Sequence, residues 1–327
     1  MRPVIMGSVI MWPGMAIGRI ERVARRRRGL PIDGWLAIDK PEGMSSAQAV
    51  AAVKRLTGAA KVGHAGTLDP LASGVLPIAL GEATKTVAHA MDGAKEYVFD
   101  LHWGEARATD DREGEVLETS DHRPDAAAIR AALPDFLGEI DQVPPAYSAI
   151  KLAGRRAYAL ARAGEAPEMP VRRVRIDALE LLTIPDADHA RFRLACGKGT
   201  YARAVGRDLA LALDTVGHLS MLRRTRSGAF GEAHAITLEK LEALVHSAAL
   251  DTHLFPVETA LDDIPALALT GPEADALRNG RPLRDMAVPE GRLVRATLDG
   301  RLVALARAED GLLRSVRGFN LGATSAA

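Results

Sequence analysis

The chain has 327 residues with 42 basic and 42 acidic side chains, so its formal net charge is zero. At 47% hydrophobic and 26% charged it has an ordinary globular composition, long enough for two domains. A single cysteine, Cys196, excludes an intramolecular disulfide framework, argues equally against a metal cluster, and favours a reducing, cytoplasmic setting. Taken by itself, zero net charge argues against a nucleic-acid binder, because phosphate contacts need Lys and Arg. Distribution counts for more than the sum. Arginine is clustered at Arg25 to Arg28, Arg155-Arg156, Arg172-Arg173 with Arg175, and Arg223-Arg224 with Arg226. On a neutral chain this points to a polarised surface.

Residues 1–30 read as an extension outside the folded chain. The apolar run from Val4 to Trp12 faintly resembles a signal peptide but is too short to span a membrane, and Pro13 and Gly14 interrupt it. A start at Met15 or a disordered tail is the preferred reading. The apolar stretch 34–41 predicts a buried strand ending at Pro41. Ser45-Ser46-Ala47-Gln48 is a capping-box pattern that opens a helix closed by Gly58. Another apolar strand follows over 74–80, then a helix over 84–91. Over 97–104, Tyr97, Phe99, Leu101 and Trp103 share one strand face. A turn at 110–114 leads to a hairpin partner over 115–118. A helix over 125–136 precedes an extended stretch over 143–148. A basic, Ala-rich segment over 151–169 holds one short helix. Strands over 171–182 and 190–196, a helix from Thr200, a strand over 219–224 and a helix from Ile236 complete the large unit. The mixture lacks βαβ regularity, so the class is α+β. A boundary falls between 255 and 265. Beyond it come a helix over 274–279 with Gly280 as its C-cap, and strands over 288–298 and 302–307 joined by Asp299-Gly300. Residues 323–327 read as a disordered tail.

The chemistry concentrates in Lys61-Val-Gly-His-Ala-Gly-Thr-Leu-Asp-Pro-Leu-Ala-Ser-Gly74. Gly63, Gly66 and Gly74 bracket one carboxylate, Asp69, and Pro70 pushes it toward an extended conformation. Within the loop, only His64, Thr67 and Ser73 could assist it. There is no metal-ligand spacing and no second acid for an acid/base pair. A turn with a helix-capping Asp is the competing reading of the same residues.

This loop closely resembles the catalytic loop of the bacterial tRNA pseudouridine-55 synthases, the TruB-type family, which reads G-H-x-G-T/A-L-D-P-x-A-S/T-G. The resemblance extends from about residue 34 to 230, in the family's order. Leu36 to Ser46 is similar to the signature L-x-x-D-K-P-x-G-x-S/T-S, and Pro145 to Lys151 to the P-x-x-S-A-x-K segment that leads into a mobile thumb. Cys196 to Arg203 resembles C-x-K-G-T-Y-I/V-R, and Leu219 to Arg226 the late L-R-R-x-x-x-G. Departures are small: Ala202 stands for a β-branched residue and Gly197 for a common Ser.

The resemblance implies a pseudouridine synthase fold, with a mixed, mostly antiparallel sheet flanked by helices. It implies a catalytic domain over 31–258 with a thumb-like insertion near 142–175, and a small β-rich PUA-like RNA-binding domain over 259–327. It implies isomerisation of uridine 55 in the tRNA T loop, with no cofactor and no metal; the expectation taken beside it is a monomer without an obligate protein partner or a membrane. The reaction breaks N1–C1′, turns the base and joins C5 to C1′, so it needs a nucleophile and no redox chemistry. Asp69 is the candidate nucleophile, attacking C1′ or C6 of a base flipped out of the T-arm stem-loop. Arg203 is its candidate counter-ion: a cation in the first turn of a helix is disfavoured by the dipole, which implies a partner. By resemblance Tyr97 stacks on the uracil, Tyr201 and Leu222 line its pocket, His64 enters the RNA where the base left, and Lys40 stands near the site. Lys151, Arg155, Arg156, Arg172 and Arg173 would grip the RNA backbone. On the residues alone, Tyr97 is equally a core-rim tyrosine, His64 a turn residue, Tyr201 and Leu222 core, and Arg203 a surface arginine. A non-catalytic tRNA-binding or folding protein on the same scaffold is the alternative function. A phosphate-binding enzyme built on Gly197-Lys-Gly-Thr200 lacks the G-x-x-x-x-G-K-S/T spacing.

Overall fold

A computed structural model describes residues 29–321, apart from 149, 153, 166 and 167. The Arg25 to Arg28 cluster, the extension up to residue 28 and the tail from 323 lie outside the described residues. Leu30 is already tied into the fold, its backbone exchanging hydrogen bonds with Gly58 and Ala60. Strand β1 (Gly34–Lys40) is buried along nearly its whole length. Helix α1 (Ser46–Thr57) opens on the expected Ser45/Gln48 capping box and closes at Gly58 in the left-handed conformation. The short β2 (Val62–His64) precedes the Asp69 loop, and β3 (Ser73–Leu80) returns antiparallel to β1. In place of one helix over 84–91, a 3-10 turn (Gly81–Lys85) leads into α2 (Val87–Asp92).

Strand β4 (Lys95–Trp103) continues into the hairpin β5 (Glu105–Arg107) and β6 (Val116–Thr119). Helix α3 (Ala126–Ala132) gives way to a 3-10 turn at Pro134, before β7 (Gly138–Gln142). The small hairpin β8 (Lys151–Leu152) and β9 (Arg155–Arg156) carries α4 (Ala157–Arg162). The long hairpin β10 (Arg172–Asp186) and β11 (His189–Cys196) leads to α5 (Ala202–Ala212), β12 (Gly217–Ser227), β13 (Phe230–Gly231) and α6 (Leu238–His246).

The main sheet runs β1-β3-β12-β4-β11-β10-β7, with β2 on β3 and β13 on β12. Every pairing in it is antiparallel except β3 with β12. The class is therefore α+β, as the irregular alternation of elements implies. Alternation along β4 puts Phe99, Leu101 and Trp103 on the core face, where Phe99 stacks on Phe192 at 5.3 Å and Val205 and Leu209 of α5 cover them.

A second sheet, β14 (Ala266–Ala268), β15 (Leu283–Arg284), β16 (Leu293–Leu298), β17 (Arg301–Glu309) and β18 (Leu312–Gly318), has the order β14-β16-β17-β18-β15 and is packed by α7 (Gly271–Arg278). The expected turn at Asp299-Gly300 is present, with both residues at positive φ, and Asp310-Gly311 repeats it to add β18. Helix α7 begins earlier than expected, on a capping box of Thr270 and Glu273; its C-cap is Asn279, and Gly280 follows in the left-handed conformation. Strand β16 starts only at Leu293 because the chain turns at Gly291, where Arg292 donates back to the Pro289 carbonyl. This sheet is not a free appendage. Leu302, Leu305 and Phe319 share one apolar cluster with Trp35, Val75, Val257 and Leu261. No helix among the described residues is long and apolar enough to cross a membrane.

Candidate active site

The loop between β2 and β3 is held from three sides. Ser46, the first residue of α1, both donates to the Leu68 carbonyl (2.9 Å) and accepts from the Leu68 N–H (2.8 Å). Lys40, fully buried, donates to the carbonyls of Met44 (2.6 Å), Pro41 (2.9 Å) and, more weakly, Pro70 (3.5 Å). Arg224, 1% exposed, donates to the carbonyls of Val75 (2.8 Å), Gly66 (3.1 Å) and Thr67 (3.5 Å). The pairing register explains how these residues meet: Lys40 opposes Gly74, Gly74 opposes Arg224, and Arg224 opposes Tyr97. One row across four strands thus runs under the loop. Gly74 sits at φ +101°, and a Cβ there would lie 2.2 Å from the Arg224 carbonyl oxygen, so only glycine fits. Gly63 has neither a positive φ nor a close neighbour, so the loop does not depend on it.

Asp69 leaves this brace with its side chain 38% exposed and its Oδ2 2.8 Å from Arg203 Nη2. Arg203 is the second residue of α5, and its position against the helix dipole is offset by four partners. Besides Asp69 it meets Asp111 (3.3 Å) and donates to the carbonyls of Thr109 (2.6 Å) and Tyr147 (2.9 Å). Asp111 is itself almost fully buried, so Arg203 joins two carboxylates of unlike exposure. A planar fork with five donors can do this; an ammonium cannot.

Around the pair lies a cavity of about 480 Å³, lined by Asp69, Tyr97, Lys151, Arg172, Tyr201, Arg203 and Leu222, with Thr67, Lys95 and Arg224 among the polar groups. Burial pushes the phenols of Tyr97 and Tyr201 up from their ordinary value, so both stay neutral at pH 7. The backbone of Tyr201 exchanges two hydrogen bonds with the Gln142 amide, which fixes the entry to α5. Cys196 has its thiol pushed up to about 11 by burial, so it is no nucleophile.

Of the residues selected from sequence, Lys40, His64, Arg155, Arg156 and Arg173 do not line the cavity. Lys40 braces the loop from below; with its ammonium turned to three backbone carbonyls, it is not placed to bind substrate. His64 is half-buried on β2, and its Nδ1 is buried without a hydrogen-bond partner. Burial first, and then the Arg224 charge, lower its pKa. Arg155, Arg156 and Arg173 are exposed; Arg155 pairs with Glu165 and Arg173 with Glu139. The 223–226 arginines are not a surface patch. Arg224 is interior, Arg223 pairs with Asp39 and Glu232, and Arg226 with Glu96. Sequence reasoning missed Arg224, Asp111 and Gln142 as parts of the site. Arg224 stands in the late L-R-R segment, but nothing local marks it, Asp111 or Gln142 as part of the site, because their contacts with Gly66, Arg203 and Tyr201 span at least 59 positions.

Lys40 provides a pH test. Burial lowers its pKa from an ordinary 10.5 to about 8, against the attraction of Asp69. Between those values the unfolded chain binds the extra proton, so stability rises with pH. Relative to Lys40→Met, the wild type should gain roughly 2 kcal/mol between about pH 7.5 and about pH 10. Urea unfolding at both pH values measures it; a constant difference between the two proteins would show that Lys40 carries no such cost.

Comparison with known proteins shows extensive similarity. The pattern described as TruB family pseudouridylate synthase (N terminal domain) matches residues 54–202, and the tRNA pseudouridylate synthase B C-terminal domain matches 203–262. The chain is 55% identical over 303 residues to the tRNA pseudouridine synthase B of Gluconacetobacter diazotrophicus, covering 90% of this chain and 99% of the relative. It is 53% identical over 308 residues to that of Rhodospirillum rubrum, covering 91% of this chain and 100% of the relative. Among solved structures, the fold is similar to the archaeal box H/ACA sRNP Nop10-Cbf5 complex (TM-score 0.67, 27% identity, 88% of this chain and 86% of that one). An H/ACA RNP bound to a substrate RNA containing 2′-deoxyuridine is similar as well (TM-score 0.69, 26% identity, 88% and 85%).

Proposed function

The chain belongs to the TruB family of pseudouridylate synthases, and from that premise we propose that it isomerises uridine 55 in the T loop of tRNA to pseudouridine, with Asp69 as the nucleophile. The observation that carries this reading is the Asp69–Arg203 pair at 2.8 Å, opening on a cavity walled by two tyrosines and a leucine. The cavity is of a size to hold a single flipped-out nucleotide, and small-ligand sites begin at about 300 Å³. Tyr97 offers a ring on which uracil stacks, and Leu222 closes the pocket. The Asp69 carboxylate forms a bond to C1′, displacing N1, or to C6, after which the N1–C1′ bond breaks. The base turns inside the pocket and C5 joins C1′. The bond to Asp69 breaks and returns the free carboxylate, and the base loses the C5 proton and gains one at N1. Arg203 holds the carboxylate in its attacking position throughout.

Lys151 and Arg172 stand at the cavity rim and take the flanking phosphates. His64 occupies the stacking space that the extruded base vacates. The five-stranded sheet over 266–318 is read as a second, PUA-like RNA surface, and the enzyme as a cytoplasmic monomer acting without an obligate protein partner.

Tritium release from a T-arm stem-loop labelled at C5 of the target uridine tests the activity. Turnover-dependent release supports it; tight binding with no release would instead favour an RNA-binding or folding role. The exposed arginines give a second test. Arg155→Glu with Arg156→Glu should weaken stem-loop binding and flatten its log–log salt dependence by about one to two units. An unchanged slope would remove this hairpin from the RNA surface.

A further inference from the structure

Three histidines lie side by side on neighbouring strands, on the face of the sheet away from Tyr97. His102 on β4 opposes His189 on β11 and His218 on β12, with ring centroids 4.7 and 4.9 Å apart. His102 is five residues along β4 from Tyr97, about 17 Å at the rise of an extended strand. Nothing in the isomerisation uses this row. Glu105, just past the turn at Gly104, joins it from β5. Ligand-capable atoms of His102, Glu105 and His218 all lie within 4.8 Å of one another.

We propose that His102, Glu105 and His218 form a binding site for one divalent transition-metal ion of the zinc type. Two imidazoles and a carboxylate are a donor set suited to Zn²⁺, with a fourth position left for water. Two details of the geometry point to a ligand. His218 Nδ1 lies 2.9 Å from the Glu105 backbone oxygen, an atom that only accepts, so Nδ1 carries the hydrogen and Nε2 presents its lone pair. A backbone carbonyl fixing the tautomer in this way is the usual support of a metal-binding histidine. His102 Nδ1 is buried and has no hydrogen-bond partner, which leaves an unused donor or acceptor in the interior.

The charges nearby are compatible with the site. Arg107 engages Glu105 through Oε2 (2.7 Å) and leaves Oε1 available. Asp188 and Arg123, paired at 2.6 Å, both act on His102 and largely offset each other, and Asp186 holds His189 Nδ1 at 2.8 Å. Ligand atoms around tetrahedral zinc are about 3.3 Å apart, so modest side-chain rotation closes the cluster.

An ion here would tie β4 and β5 to β12 next to Leu219, whose backbone exchanges hydrogen bonds with Asp110 and Arg112. Asp111, the buried partner of Arg203, lies between those two residues. The metal would thus stiffen the scaffold behind the active site while taking no part in the chemistry.

The test uses the untagged full chain after chelator treatment. Zn²⁺ titration calorimetry should give one equivalent per chain, and Co²⁺ should give the visible bands of a low-symmetry site with nitrogen and oxygen ligands. His102→Asn and Glu105→Gln should each weaken Zn²⁺ binding at least about tenfold, with the metal-free melting temperature close to wild type. His246→Asn, at an exposed histidine elsewhere, should bind as wild type does. His218→Gln should behave like the other two; if burial prevents it from folding, the two half-exposed positions decide. Absence of stoichiometric binding, or binding that neither His102→Asn nor Glu105→Gln weakens, would overturn the proposal.

Discussion

Asp69→Asn should lower turnover by a factor on the order of 10⁴ or more while leaving stem-loop affinity within about twofold. The substitution keeps the shape of the side chain and removes only its charge and nucleophilicity. It should cost little stability. The Asp69 side chain is 38% exposed, and Arg203 keeps Asp111 and the carbonyls of Thr109 and Tyr147 as partners. A loss of activity therefore cannot be attributed to unfolding. The readouts are C5 tritium release and fluorescence anisotropy of a labelled stem-loop. Turnover above the RNA-only background would place the nucleophile on another residue.

The second large effect is on Arg203. Arg203→Met should destabilise the protein by about 3–5 kcal/mol, because it strands a buried carboxylate. Asp111 has a side chain only 4% exposed, and no other cation is paired with it among the described ion pairs. Two carbonyls lose their donor in the same step. Turnover should fall toward the level of Asp69→Asn, since the carboxylate would no longer be held in one orientation. Arg203→Lys separates the two effects. It keeps the charge near Asp111 and should recover part of the stability. One ammonium cannot span both carboxylates and both carbonyls, so activity should stay low. Urea unfolding and single-turnover kinetics measure the pair of quantities. Equal stability for Arg203→Met and wild type would show that the Asp111 contact contributes nothing.

Much of the local structure was legible in the sequence because its causes are local. The Ser45/Gln48 capping box, the Gly58 stop and the alternation of Phe99, Leu101 and Trp103 act within a turn of helix or along one strand. The Asp299-Gly300 turn is likewise set by two neighbouring residues. The loop around Asp69 was only partly legible: its glycines and Pro70 mark a constrained turn, but Gly74 is required by the distant Arg224 carbonyl, and Ser46, Lys40 and Arg224 supply the brace. Arg203 was legible for a different reason: a cation placed against a helix dipole demands a partner, although its chemical nature does not reveal which one. Where local cues failed, a local competitor was present. Pro134 ended a helix early, and a turn at Gly291 delayed a strand.

The sequence by itself therefore determined which residue types stand ready for chemistry, and the helices and strands that carry them. The tertiary structure alone decided which of them meet. Lys40, Gly74, Arg224 and Tyr97 form one row only because their strands pair in a particular register, and a shift of one residue would turn each side chain to the opposite face. Burial depends on the same pairing. Arg224 has the composition signature of a surface residue, and it is interior because three carbonyls of a distant loop converge on its guanidinium. The second carboxylate on Arg203 and the row of three histidines belong to this class too. Their partners lie far away in sequence: the sheet register brings the histidines together, and the packing of α5 against the turn at Asp111 brings Arg203 to its second carboxylate.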